Sequence, residues 1–354
     1  MLEKVVRYIL GPLVAVLIFV VVVESALHFF ALDFHPKGRD FTVNRAPDFP
    51  EVFLRDRNLL WRLRPERTIT SEFFLDHSYR INRQGYRGDD FKIEKFGLRL
   101  AVLGNSCAFG WGVTEEETFA YRLKDGIGQY MEKPVEVFNF SVPGYSSFQG
   151  KGNYRQNVRR LNPDIMLVTF GWNDHWLAAG DIADKDQWMP PGLILDIQNQ
   201  LARLRFYRLL KSSIMAIIPG PDLEKEKNRK YRVGPDDFRA NLAEIIKTAA
   251  TEGTKVVLLT SPAPSMEAYY DHSGSSILHE THRYYNDMIR QTAAIHSVGL
   301  VDLAGIFDRY DNLFDDVKTD PFHYNRRGHA VAAEEILQFL ITSGYFPSER
   351  EEPL

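Results

Sequence analysis

The sequence predicts an α/β protein, a three-layer αβα sandwich on a parallel sheet, preceded by a small β-rich extension and an N-terminal transmembrane helix. Three observations carry that expectation. Short apolar runs alternate with helical stretches from residue 98 onward. A strand-like alternation with turn chemistry lies between Leu60 and Arg87, and residues 8–23 form an uncharged run dominated by Val, Leu and Ile. The 354 residues, 44% hydrophobic and 25% charged, suit one large folded domain with appendages rather than a disordered chain. A net charge of -4 gives no footprint for gripping a phosphate backbone, so nucleic acid is not an expected partner. The single cysteine, Cys107, permits neither an intramolecular disulfide nor a cysteine-based zinc site.

Residues 1–32 are expected to be the anchor and its flank. At about 1.5 Å per residue, 8–23 falls a little short of a hydrocarbon layer of about 30 Å, and Val5, Val6 and residues 25–32 lengthen it. Arg7 and Glu24 then sit near the two interfaces. A cleaved signal peptide is the rival reading, but a cut after Ala26 puts Glu24 where a small residue is wanted. Lys4 and Arg7 favour a cytoplasmic N-terminus and a periplasmic folded part, an asymmetry that Lys37 and Arg39 weaken. Residues 33–95 read as a linker, without clear periodicity as far as Asn58, and then the β-rich extension. There Trp61-Arg62-Leu63-Arg64 and residues 68–74 alternate as strands, and Asn82-Arg83-Gln84-Gly85 supplies a turn.

The main domain is expected over 96–346, with a tail at 347–354. Its strands are the runs 98–104, 135–142, 165–170, 255–260 and 299–303, short enough and apolar enough to be buried on both faces with crossover helices covering them. Thr114 with Glu117 reads as a capping box opening the first helix, and Glu115 and Glu116 suit its dipole. Asn325 reads as the N-cap of the last helix, which runs to about Ile341. Residues 176–232 interrupt the rhythm as an insertion or lid. Arg203, Arg205, Arg208 and Lys211 lie there among Leu, Ile and Phe, which suits a helix packed on its own domain and, less well, one lying on an anionic membrane surface.

Four segments carry chemistry. In LRLAVLGNSCAFGWGV a strand ends in Gly104 and the chain turns at Asn105-Ser106, exposing a serine where open α/β sheets collect their working residues. Gly104, Gly110 and Gly112 match neither the phosphate-loop spacing nor the dinucleotide fingerprint, which disfavours nucleotide binding. Ser141-Val142-Pro143-Gly144-Tyr145 ends the second strand with a glycine whose backbone N–H can be approached closely. Gly171-Trp172-Asn173-Asp174 puts an amide side chain at the third strand end, and Asp320-Pro321-Phe322-His323 follows near the C-terminus.

These four blocks, in this order, resemble the SGNH (GDSL-like) serine hydrolases over about 98–341, and the parallel sheet is then expected to be flavodoxin-like. The resemblance implies ester hydrolysis through an acyl-enzyme, with Ser106 matching the family serine, Gly144 the glycine, Asn173 the asparagine, and Asp320 and His323 the acid and the base. A serine hydroxyl is a poor nucleophile until an imidazole takes its proton, the role His323 would fill with Asp320 orienting it. The Ser106 and Gly144 N–H groups and the Asn173 amide would form the oxyanion hole. The segments WRLRPERT and INRQGYRGDD also look like the extension of membrane-anchored bacterial members. The chain departs from the family in having Asn105 where Asp is usual and Cys107 where some members have Leu. Neither removes a triad member, and Cys107 reads as a packing residue.

Other readings of the same residues remain. Asp320 and His323, with Asp315, Asp316, His329 or His175, would suit a metal, but that leaves Ser106 and Asn173 unexplained. His329 reads as a packed histidine, and Asp174 and His175 as structural or rim residues. Trp111, Trp172 and Trp176 line a cleft or belong to the core. The expected protein is a serine esterase without metal or organic cofactor, cleaving O-acyl, first of all acetyl, esters of an envelope or exported carbohydrate. An O-acyltransferase would use the same triad behind a lid that excludes water. A non-catalytic envelope protein binding polysaccharide or a protein partner is the alternative from another class.

Overall fold

The run Leu98–Gly104 is buried at every position after the first, and its side chains alternate between two separate cores. Ala101 and Leu103 enter one; Leu100 and Val102 enter the other. Only a strand covered on both faces does this, and the layers follow from it. In this computed structural model residues 8, 10–34, 49–70, 74, 77–178, 181–217, 230–264, 275–315, 320 and 322–346 are described, without side chains at 215–217 and 275–278. Expectations placed on Lys4, Arg7, Lys37 and Arg39, on most of the linker, on Asp316 and Pro321, on the charge run from Glu224 and on the tail lie outside them.

Along the chain come helix α1 (Gly11–Phe29) and two antiparallel hairpins, β1 (Phe53–Asp56) with β2 (Leu60–Leu63) and β3 (Arg67–Thr70) with β4 (Ser78–Ile81). There follow β5 (Leu98–Gly104), α2 (Ser106–Phe109), α3 (Phe119–Met131), β6 (Val135–Asn139), α4 (Ser147–Gln156) and β7 (Ile165–Thr169). Helices α5 (Gly192–Leu201) and α6 (Arg205–Ile217) lie within 176–232, the segment expected to be an insertion. The chain continues as α7 (Pro235–Thr251), β8 (Lys255–Leu259), α8 (Ser275–His296), β9 (Gly299–Val301), α9 (Leu303–Phe307) and α10 (Arg326–Thr342).

The five strands β5 to β9 pair in parallel in the order β6-β5-β7-β8-β9, the flavodoxin-like arrangement. On one face α7 and α8 bury Phe238, Leu242, Met288 and Ile289 against Met166, Val168 and Leu258. The hairpins add Leu63, Ile69, Tyr79 and Ile81 to that same core. On the other face α3 and α10 bury Leu123, Ile127, Ile336 and Leu340 against Ile165, Leu167 and Val257. Asn325 caps α10, its side chain accepting from the N–H groups of Arg327 and Gly328.

Two local expectations need correction. Helix α3 begins at Phe119, not after Thr114: the Thr118 hydroxyl accepts from Tyr121 N–H and is the cap. Glu117 does reach back to the Thr114 N–H at 3.0 Å, but this half of a capping box closes only a turn. Within the segment read as linker, Phe53–Asp56 is a strand, because Leu60–Leu63 pairs with it; four residues are too few to show a period alone.

Helix α1 spans 19 residues with a mean hydropathy of 2.3, long and apolar enough to cross a membrane, and almost wholly uncovered. Only Val20, Val23, Glu24 and Leu27 are part-buried or buried. Helix α6 packs against this end of α1, with Phe206 edge-to-face on Phe19 at 5.9 Å.

Candidate active site

The carboxyl ends of β5, β6 and β7 flank the point where the strand order reverses, and the candidate residues gather there. Ser106 is the first residue of α2, so its N–H belongs to the donors that a helix leaves unpaired. Asn105 caps α2 by accepting from Cys107 N–H at 3.0 Å. Ser106 is half-buried while its neighbours Asn105 and Cys107 are buried.

His323 joins this serine to Asp320. Its Nε2 lies 2.8 Å from Ser106 Oγ, and its Nδ1 lies 2.9 and 2.8 Å from the two Asp320 oxygens. A carboxylate accepts only, so Nδ1 carries the proton and Nε2 presents its lone pair to the serine hydroxyl. Asp320 also accepts from the backbone N–H groups of Phe322 and His323. Burial works against its charge, but the His323 ring and these two N–H groups outweigh it and hold the carboxyl below the usual carboxylate range.

The oxyanion candidates sit on the two neighbouring strand ends. Gly144 has φ 83°, in the left-handed region that favours glycine. The Asn173 side-chain amide donates to Tyr145 O at 3.0 Å, joining its turn to the Gly144 loop. Asp174 is fully buried and clamps that turn, accepting from Gly171 N–H at 3.0 Å and from Ser147 N–H at 2.8 Å. Burial pushes the Asp174 carboxyl up to about 6 despite these bonds.

Two supports escaped the sequence reading. Arg87, buried beneath the extension, donates to the carbonyls of Phe109, Gly110 and Val113, and Gly112 N–H donates to the Tyr79 hydroxyl. A Cβ at Gly110 would stand 2.8 Å from the Arg87 guanidinium, so glycine is what lets the arginine in. This loop carries Trp111, whose ring stacks on His323 with centroids 5.1 Å apart and planes 17° apart. The second support is an ion pair from the insertion, Arg232 with Asp184, whose side chains are 2% and 1% exposed. Arg232 also donates to Gly144 O at 3.0 Å, and Asp184 accepts from Ser146 Oγ at 2.6 Å. The QGYRG run hinted at the first; nothing in the sequence marks the second.

The remaining candidates are placed elsewhere. His329 is buried, accepts from Phe119 N–H and is driven by burial well below the ordinary histidine range. His282 Nε2–H donates to Ser261 O, so its Nδ1 accepts from His175 Nε2–H at 3.0 Å. Burial takes His175 down to about 3, so it is neutral. Among the described residues no group of three His, Cys, Asp or Glu is arranged to hold a metal ion. Trp172 is core, stacked on His282 at 3.6 Å. Trp176 is part-exposed and meets Phe322, which is part-exposed beside His323. Cys107 is buried, its thiol raised by burial and donating to Phe322 O.

No curated protein matches the chain. Among solved structures, a lipase/acylhydrolase from Enterococcus faecalis is 15% identical, with a TM-score of 0.46, covering 70% of this chain and 97% of its own. An acetylxylan esterase from Geobacillus stearothermophilus is 16% identical, with a TM-score of 0.46, covering 69% and 94%. The profile of the GDSL-like lipase/acylhydrolase family matches residues 102–331, from within β5 into α10. That match takes in well over half of the chain, which therefore belongs to the GDSL-like lipase/acylhydrolase family and is an ester-hydrolysing enzyme.

Proposed function

We propose that Ser106 is the nucleophile of a serine esterase, with His323 as general base and Asp320 as its orienting carboxylate. What carries the assignment is the unbroken hydrogen-bonded chain from Ser106 Oγ through the His323 ring to Asp320. As Oγ attacks the ester carbonyl carbon, its proton passes to His323 Nε2, and Asp320 stabilises the imidazolium. The carbonyl oxygen takes up the electron pair and accepts from the Ser106 and Gly144 N–H groups and the Asn173 amide. Collapse expels the alcohol, which takes the proton from His323 and leaves the acyl group on Ser106. Water, deprotonated in turn by His323, then attacks the acyl-enzyme; the free acid leaves and Ser106 regains its proton.

The substrate we propose is a short O-acyl ester, first of all an acetyl ester, on an envelope or exported carbohydrate. Support comes from Trp176 and Phe322, whose part-exposed aromatic surface beside His323 suits a sugar leaving group. Residues 1–32 serve as a single-pass anchor, 33–95 as linker and extension, 96–346 as the hydrolase domain with insertion 176–232, and 347–354 as a tail. The hydrolase domain lies on the periplasmic side.

The test is turnover of p-nitrophenyl acetate, butyrate and a long-chain ester by the full chain in detergent, beside Ser106→Ala. Wild type should prefer the short esters, and the variant should lose on the order of ten-thousand-fold or more in kcat together with labelling by a fluorophosphonate. Undiminished turnover or labelling in Ser106→Ala would rule Ser106 out, and a long-chain preference would rule out the acetyl reading.

A further inference from the structure

The insertion helices carry an apolar surface that the described residues do not cover. Among the described residues outside α1 and its flanks (8–32), eight of the fourteen exposed large apolar side chains lie between Ile182 and Ile214. On α5, Leu193, Ile197 and Leu201 recur every four residues and are all exposed, so they form one stripe. On α6, Phe206, Leu210 and Ile214 repeat that spacing. Phe206 meets Phe19 of α1, whereas Leu210 and Ile214 are 46% and 57% exposed. The stripe that docks on α1 therefore continues beyond it.

The junction with α1 fixes where this stripe lies. The Glu24 carboxylate accepts from the N–H groups of Arg205 at 3.0 Å and Phe206 at 2.8 Å, two donors that α6 cannot satisfy itself. Arg205 also donates to Leu27 O, and Arg208 pairs with Asp33 at 2.7 Å. A carboxylate on a membrane-crossing helix is costly in hydrocarbon and tolerated at its edge, so Glu24 marks the headgroup boundary. Phe206 touches a residue five positions, or about 7 Å, further into the span, which matches the depth of about 5–10 Å at which interfacial helices settle.

We propose that α5 and α6 lie on the surface of the same bilayer that α1 crosses, with their apolar stripes in the acyl boundary. The proposal rests on α1 being a span. It also ties the bilayer to the candidate site. Asn199 of α5 accepts from Arg55 N–H and donates to Arg55 O on β1, while Trp61 of β2 donates to Pro143 O and accepts from the Tyr145 hydroxyl. Docked helices thereby hold the Gly144 loop at a set height above the lipid.

The test uses the full chain in nanodiscs of phosphatidylcholine with phosphatidylglycerol, labelled with an environment-sensitive fluorophore at one introduced cysteine. The sites are Ile197→Cys, Leu210→Cys, Val16→Cys in α1 and Ile295→Cys, an exposed apolar position on α8. Lipids with a doxyl group near the headgroup end of the acyl chain should quench the first two several-fold more than Ile295→Cys. If Val16→Cys is quenched by doxyl lipid but Ile197→Cys and Leu210→Cys match Ile295→Cys, the docking proposal is overturned and the span stands. If Val16→Cys escapes quenching by shallow and deep doxyl lipids alike, the span reading fails and the docking proposal falls with it.

Discussion

Asp320 makes four hydrogen bonds, two to one imidazole nitrogen and two to backbone N–H groups, and each kind has a separate consequence. Asp320→Asn keeps the shape but turns an N–H toward His323, favouring the wrong tautomer. We expect kcat to fall by about ten-thousand-fold with KM little changed, measured on p-nitrophenyl acetate. Asn173→Ala should cost about a hundred- to a thousand-fold, because the proposed oxyanion hole would lose one donor while Ser106, His323 and Asp320 stay. Asp174 gives a pH signature. Burial holds it at about 6, above the ordinary 3.8, so the native state holds this proton more tightly. The stability it contributes is complete below 3.8 and is lost as pH rises through about 6. The thermal midpoint of wild type relative to Asp174→Asn should therefore fall over that window; a difference that stays flat or grows would contradict it. At this scale the gathering of Ser106, Gly144, Asn173, Asp320 and His323 in one place was legible because their blocks fall at strand ends or in a compact Asp-x-x-His run. Asp174 was read only as structural or rim: sequence shows an acid beside an asparagine, not the burial that gives it a titration.

The insertion contributes its buried pair to the Gly144 loop, and breaking it should do two different things. Arg232→Met leaves Asp184 buried and uncompensated, at a cost of about 3–5 kcal/mol in stability. Arg232→Met with Asp184→Leu removes the stranded charge, so much of that stability should return while kcat stays low, since Gly144 O still lacks its donor. Thermal unfolding and turnover of both variants separate the effects; full recovery of kcat in the double variant would show that Arg232 does not position the loop. The strands of the main sheet were legible element by element, because runs such as VVLLT are buried on both faces and need no periodicity. Helix α3 was misplaced by one turn, since Thr114 and Thr118 both precede acidic or apolar sequence and only tertiary packing decides between them. Strand β1 was missed because a strand four residues long is defined by its partner.

The whole molecule joins an apolar helix, two hairpins and a parallel α/β body through a few polar bonds and one shared core. Deletion of 1–32 removes the two Glu24 acceptors from the first turn of α6, so the truncated chain should unfold at a lower temperature. It should keep ester turnover, because α1 touches none of the strand ends that carry the candidate residues. The full chain should stay with membranes through alkaline carbonate extraction and the truncated chain should be released; release of both would show that α1 is not a span. The layered architecture was legible from alternation alone. The alliance of α1 with α6 was not, because it rests on a carboxylate of an apolar helix meeting a helix start some 180 residues away.

The stacking of Trp111 on His323 also gives the protein an optical handle on its own triad. An imidazolium quenches indole fluorescence more strongly than a neutral imidazole does, so the emission of Trp111 should follow the charge of the ring beneath it. Stopped-flow mixing with an ester, wild type beside Trp111→Phe, would then show whether the proposed proton transfer passes through the ring.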